Sequence, residues 1–341
     1  MAEYISFQPS DFFSPTIYTG NASTNAITGV GFQPDMTWIK NRTATGDHSL
    51  YDSPRGTTKS LVPNGNDEEQ TYATGLTAFG ADGFTVGSQA IVNGNTNDIA
   101  SWNWKAGTTT GIAGSPSITP SSYSFNATSG FSIVRWSGTG VAGTLPHGLG
   151  VAPQWIIVKR LEGSNWTSGH EAAGWTKNWV FNEAEGLNTN TYWNDTNPTS
   201  DLFSVGTNII VNASGSTYVG YLWAPVKGYS KFGSYIGNAA ADGPFVYTGF
   251  RPAYVMIKRF TTGTGWYIWD NKREGYNGDN ETLVSNTNTT GGAGTYLNLL
   301  SNGFKLLSND GEWNNSSTEY AYMAFAEFPI VSSNDVPTIA R

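Results

Sequence analysis

Short apolar runs punctuate the whole chain. Trp38-Ile39, Trp155-Ile156-Ile157-Val158 and Tyr254-Val255-Met256-Ile257 are built of β-branched and aromatic residues and are bounded by Pro and Gly, which predicts strands. The runs Ile99 to Trp104, Tyr218 to Trp223 and Tyr320 to Phe325 alternate as half-buried strands do. Gly-rich punctuation between the runs has the spacing of a sandwich or barrel. No long stretch carries the 3.6-residue period of a helix, so the pattern predicts an all-β fold.

The runs sit in a recurring frame. Gly31-Phe32-Gln33-Pro34 leads to Trp38-Ile39-Lys40, Gly150-Val151-Ala152-Pro153 to Ile157-Val158-Lys159, and Gly249-Phe250-Arg251-Pro252 to Met256-Ile257-Lys258. Upstream anchors are Gly20, Gly138 and Gly237; downstream anchors are Phe84, Phe203 and Phe304, then Trp104, Trp223 and Phe325. Fixed spacing across three copies predicts three tandem homologous β-sandwich units, with jelly-roll and lectin-like topologies both fitting. The expected organisation is an N-terminal docking arm at 1–14, units at 15–107, 130–226 and 232–329, a Gly/Ser/Thr/Pro linker at 108–129 and a C-terminal tail at 330–341. The short connection after unit two predicts that units two and three pack together, with unit one set apart.

Composition narrows the function. Charged residues make up only 13%, yet aromatics reach 14%, enough burial to set the chain apart from disordered sequences. The net charge of −8 disfavours nucleic acid and anionic membrane, which need basic surface. With no cysteine, disulfides, thiolate metal sites and cysteine nucleophiles are excluded, and folding in a reducing bacterial cytosol is favoured. No apolar stretch approaches a bilayer span. Met1-Ala2-Glu3-Tyr4 has neither the basic nor the apolar region of a signal peptide.

Candidate chemistry is sparse, and neither an enzyme nor a cofactor is expected. Asp67-Glu68-Glu69 is a local acidic run. Asp52, Glu171 and Asp270 hold one place in the frame, and an acid present in every unit reads as a turn residue rather than a catalyst. His48, His147 and His170 lack metal-pair spacing. Lys40, Lys159 and Lys258, with Arg42, Arg160 and Arg259, are expected to end strands and face water. Two aromatic groups lie outside the frame: Trp166, Trp175, Trp179, Tyr192 and Trp193 in unit two, and Trp266, Tyr276 and Trp313 in unit three. Set among Asn, Asp and Gly, they suit either a glycan surface or contacts between units or subunits. Tyr4, Phe7, Phe12 and Phe13 make the N-terminal arm a candidate docking element.

The opening Tyr4-Ile5-Ser6-Phe7-Gln8-Pro9-Ser10-Asp11-Phe12-Phe13 resembles virion structural and tail-fibre proteins of tailed phages, especially marine phages and cyanophages. So do Asp82-Gly83-Phe84, Trp102-Asn103-Trp104-Lys105-Ala106-Gly107 and Gly228-Tyr229-Ser230-Lys231-Phe232-Gly233-Ser234-Tyr235. The resemblance covers nearly the whole chain and implies a virion location after synthesis in the host cytoplasm. It further implies contact with other virion proteins through the arm, attachment to the host, with a surface glycan as candidate receptor, and a homo-oligomer, trimeric by analogy with fibres. A capsid decoration or head-fibre protein and a free glycan-binding module are the alternatives. No catalytic residue is carried over.

Overall fold

The computed structural model describes residues 6–261, 263–273 and 277–328. Those residues form an all-β protein whose helices are three single turns, α1 (Ala90–Asn93), α2 (Ile209–Asn212) and α3 (Gly311–Asn314), and two short 3-10 segments.

Three main antiparallel sheets share one strand order. Phe13–Thr19, Asp98–Trp104, Met36–Asn41 and Ser49–Asp52 lie side by side in unit one. Phe131–Ser137, Thr217–Trp223, Trp155–Arg160 and Thr167–His170 follow the same order in unit two, as do Ser230–Ile236, Glu319–Phe328, Arg251–Arg259 and Trp266–Asp270 in unit three. A smaller sheet covers one face of each: Asn25–Ile27, Gly83–Val86 and Leu76–Gly80; Gly143–Pro146 and Leu202–Val205; Phe245–Tyr247, Gly303–Leu306 and Leu297–Leu300.

Alternation explains the core. Along Glu319–Phe328, Tyr320, Tyr322 and Ala324 join the local cluster under the small sheet, whereas Ala321, Met323 and Phe325 join a second cluster shared by all three units. Thr217–Trp223 divides likewise, with Tyr218 and Leu222 on one side and Val219, Tyr221 and Trp223 on the other. The main sheets are therefore buried on both faces, which is why Trp155–Arg160 and Arg251–Arg259 read as near-continuous apolar runs. In the shared cluster the Trp104 ring lies 6.3 Å from Trp223 and 5.8 Å from Phe325. The expectation of a unit one set apart is corrected: its central strands share this core with the other two.

Two more boundaries differ from expectation. The stretch 108–129 is not a free linker, because Ser122–Asn126 pairs with Phe131–Ser137 and the Ser124 hydroxyl donates to Asp35 at 3.0 Å. The N-terminal segment is not a free arm. Phe13 is buried and stacks on Phe325 with ring centres 4.7 Å apart, while Phe7 and Phe12 pack on Tyr229. Phe13 is thus a core residue, and Phe7 and Phe12 are half-buried against the core. Tyr4 lies outside the described residues.

The anchors Gly20, Gly138 and Gly237 have a steric cause. A Cβ there would stand 2.0 Å from the Gly94 carbonyl oxygen, 2.1 Å from that of Ala213 and 2.3 Å from that of Asn315. In each case the chain crosses hard against the end of a single-turn helix. Just before these contacts lie the buried amides Asn93, Asn212 and Asn314. Asn212 accepts from Thr139 N–H at 2.8 Å and donates to the Val141 and Gly206 carbonyls. Asn93 and Asn314 bridge matching loops in the same way.

The body has two unlike poles. Phe13, Trp104, Phe131, Trp223, Ser230 and Phe325 lie together at one end of their pairings. The first main strand therefore starts, both unit connections run and the last main strand ends at that pole. The opposite pole carries reversing loops, including 19–25, 93–98, 138–142, 213–216, 237–242 and 315–318.

Candidate functional site: the seams and open grooves

Three seams join the units in a closed ring. Between units one and two, Glu69 N–H donates to the Leu161 carbonyl at 2.8 Å, and the Trp166 indole donates to the Val62 and Gly65 carbonyls. Between units three and one, Glu281 holds Arg42, and Gly46 N–H donates to the Asn288 carbonyl at 3.0 Å. Between units two and three, Leu187 N–H donates to the Phe260 carbonyl at 2.8 Å and the Trp179 indole to the Arg259 carbonyl at 3.2 Å.

The framework lysines lie in these seams, not in water as expected. Lys40, Lys159 and Lys258 are each fully buried, because alternation puts them on the shared face two residues beyond Trp38, Ile157 and Met256. The Lys40 ammonium donates to the carbonyls of Asn41, Gly46 and, across the seam, Asn288. Lys159 donates to those of Ser164 and, across the seam, Asn66. Lys258 donates to Thr264 of its own unit at 2.6 Å. Burial pushes Lys40 and Lys159 down to about 8 and Lys258 to about 7. Lys159 and Lys258 also face the rings of Trp166 and Trp266.

The recurring acids stand at two seams. Asp52 accepts from Arg55 Nε at 2.5 Å and from the Tyr221 hydroxyl of unit two. Asp270 accepts from Arg273 Nε at 2.7 Å and from the Trp102 indole of unit one at 2.9 Å. In unit two the register gives this place to His170, opposite Trp155, not to Glu171, which is exposed. The strand position that carries Trp102 and Tyr221 carries Met323 in unit three. Two seams are thus closed by a carboxylate sandwiched between an aromatic donor and an arginine, and the seam between units two and three by apolar packing of Trp179, Phe181 and Trp266.

The histidines are buried and uncharged. His48 accepts the Trp38 indole at 2.9 Å, and His170 accepts Ala172 N–H at 3.0 Å. Burial pushes both down to about 3, and His147 to about 4. Among the described residues no group of His, Cys, Asp or Glu is placed to hold a metal ion.

The aromatic candidates for a glycan surface are corrected by burial. Trp166, Trp179 and Trp266 belong to the shared core, Trp175 and Trp193 to the core of unit two, and Trp313 to that of unit three. Their faces meet other side chains, and Trp175 stands perpendicular to Trp193 with centres 5.6 Å apart. Tyr192 is half-buried against the unit-two core, and Tyr276 lies outside the described residues. The chain belongs to the family described as a domain of unknown function, DUF7483, whose model matches residues 8–329. No curated protein and no solved structure matches it.

Sequence reasoning missed Arg55, Arg273 and the three buried asparagines. Their signal was legible: Asp52-Ser53-Pro54-Arg55 and Asp270-Asn271-Lys272-Arg273 share Asp-x-x-Arg, and Val92-Asn93 and Val211-Asn212 recur before the alternating strand.

Concavities among the described residues open to solvent at both poles. One, of about 310 Å³, lies at the pole of the unit connections among Val151, Pro153, Trp175, Pro198 and Pro225. Another runs along the seam between units two and three at the loop pole, as two adjoining grooves of about 440 and 620 Å³ that share Gly186 and Leu187.

Proposed function

We propose that this chain is a bacteriophage virion structural protein, a tail fibre or tail-associated component without enzymatic activity, that presents its loop pole to the host surface. The virion assignment rests on the resemblance of its opening segment and framework to tailed-phage virion proteins. The observation that carries the orientation is the placement of the start of the first main strand, the end of the last and both unit connections at one pole. Phe13, both unit connections and Phe325 gather at that pole, and on this reading it is the one turned towards the particle while the loop pole faces outward. Three sheets closed around one axis give a single chain the outline that a homotrimer of fibre subunits reaches with three.

The test is a cryo-EM reconstruction of the intact particle with this chain located in it. A few symmetric copies on the tail, with the 19–25 and 237–242 loops pointing outward, support the reading. Copies spread over the capsid lattice would make it a decoration or head-fibre protein. Absence from the particle would end the virion reading.

A further inference from the structure

We propose that the groove at the seam between units two and three is a binding site for a neutral oligosaccharide. This deepens the proposed host-facing role of the loop pole and rests on it.

The groove has a physical origin. At the other two seams the neighbouring loop supplies a carbonyl to the buried ammonium, from Asn288 to Lys40 and from Asn66 to Lys159. Among the described residues, Lys258 donates only to Thr264 of its own unit; the unit-two loop offers it the charge of Glu185 rather than a carbonyl. That loop, Glu183 to Asn188, is tied to unit three by the Leu187–Phe260 backbone bond. The gap that remains becomes the double groove, a shallow depression open to solvent along the seam.

Its lining selects the ligand. Glu183, Glu185 and Glu319 supply carboxylates, Asn188 an amide, and Ser317 a hydroxyl, with Lys177 the one ammonium among the lining residues. Glu183, Glu185, Lys177 and Ser317 are exposed, and the Glu185 carboxylate accepts from Asn188 at 3.3 Å. Three carboxylates outnumber Lys177 and the buried Lys258 ammonium that Glu185 faces, so the wall stays negative and disfavours phosphate, sulfate and uronate groups. The same carboxylates do not converge as metal ligands. Acceptor-rich walls over Leu187 and the edge of Phe260 match the hydroxyl donors and C–H face of an uncharged sugar.

The experiment is isothermal titration and array binding of the full chain with dextran- and mannan-derived oligosaccharides of several residues, beside sulfated and phosphorylated glycans. Thr261→Trp places a bulky ring in the groove from an exposed position, and Glu185→Gln removes one acceptor charge. Val151→Trp, at the opposite pole, serves as control. Binding of a neutral oligosaccharide that falls by about tenfold or more in Thr261→Trp, the equivalent of one well-placed contact, and persists in Val151→Trp supports the site. Unchanged binding in Thr261→Trp, preference for anionic glycans, or no neutral glycan bound would overturn it. Those results leave the particle location untouched, so this site and the virion reading fail separately.

Discussion

Tyr221, on a central strand of the second unit, donates its hydroxyl to Asp52 of the first across 2.5 Å, while Arg55 holds the same carboxylate oxygen from within unit one. Both side chains of the Asp52–Arg55 pair are fully buried. Without Asp52, Arg55 keeps only its longer carboxylate contact, with Glu69 at 3.3 Å, and breaking a buried pair costs about 3–5 kcal/mol. Asp52→Ala is therefore expected to lower the urea midpoint far more than Tyr221→Phe, whose loss is that of a hydrogen bond to a charged group, about 1.5–3 kcal/mol. Equal effects in the two variants would refute a charge-centred seam.

The seam lysines should not be equivalent. Lys40 serves three carbonyls and Lys258 one. Replacement by Met removes those bonds; Asn288 keeps the Gly46 N–H, while a buried carbonyl left without a donor costs about 1–3 kcal/mol. Lys40→Met should destabilise the chain clearly more than Lys258→Met in chemical denaturation; the reverse order would contradict the description of the seams.

Acid should weaken the fold through its histidines. Unfolded imidazoles take up a proton near pH 6.5, whereas burial holds folded His48 and His170 to about 3 and His147 to about 4. Between those limits the unfolded state binds more protons, so stability falls as pH drops from about 6.5 towards 3, by up to about 1.4 kcal/mol per pH unit for each histidine. His170→Gln should flatten the pH dependence of the unfolding free energy in that window. An unchanged slope would mean that His170 is not buried uncharged.

Gly138→Ala should be among the most damaging small substitutions, because its methyl would overlap the Ala213 carbonyl oxygen at 2.1 Å. Backbone sits on both sides of the clash, so relief requires the loop to move, at a cost of about 1–3 kcal/mol or more. Gly150→Ala, where open space surrounds the new methyl but φ is +69°, isolates backbone strain from the clash. A thermal melt in which Gly138→Ala is the milder of the two would contradict the close crossing.

Trp166→Ala is expected to behave as a core truncation, costing about 3–5 kcal/mol, since its ring is buried and its indole donates across a seam. Retained stability would reopen this ring as a surface contact.

The alternating runs made the main strands legible, because a strand has one period and each residue one face. What the runs did not carry was the number of faces covered. Lys40 ends a strand in sequence and so reads as an edge cation, yet the neighbouring unit closes over it, a fact about residues far along the chain such as Asn288. The indole clusters misled for the same reason: tryptophan suits a sugar surface and a packed seam alike, and only the third dimension separates them. Glu171 stood in the expected place by counting, but unit two has one residue fewer in its hairpin than the other units, and His170 takes the position instead. The groove between units two and three had no sequence signal at all, since it arises from a bond that two seams make and the third does not.

Met323 stands where Trp102 and Tyr221 stand in the other two units. In an assembly of identical subunits, a substitution appears at every interface at once, and a change that suits one contact must be tolerated by all. Here the interfaces are encoded separately along one polypeptide, so a single codon can reshape one junction while its two counterparts keep the carboxylate clamp that holds the body shut.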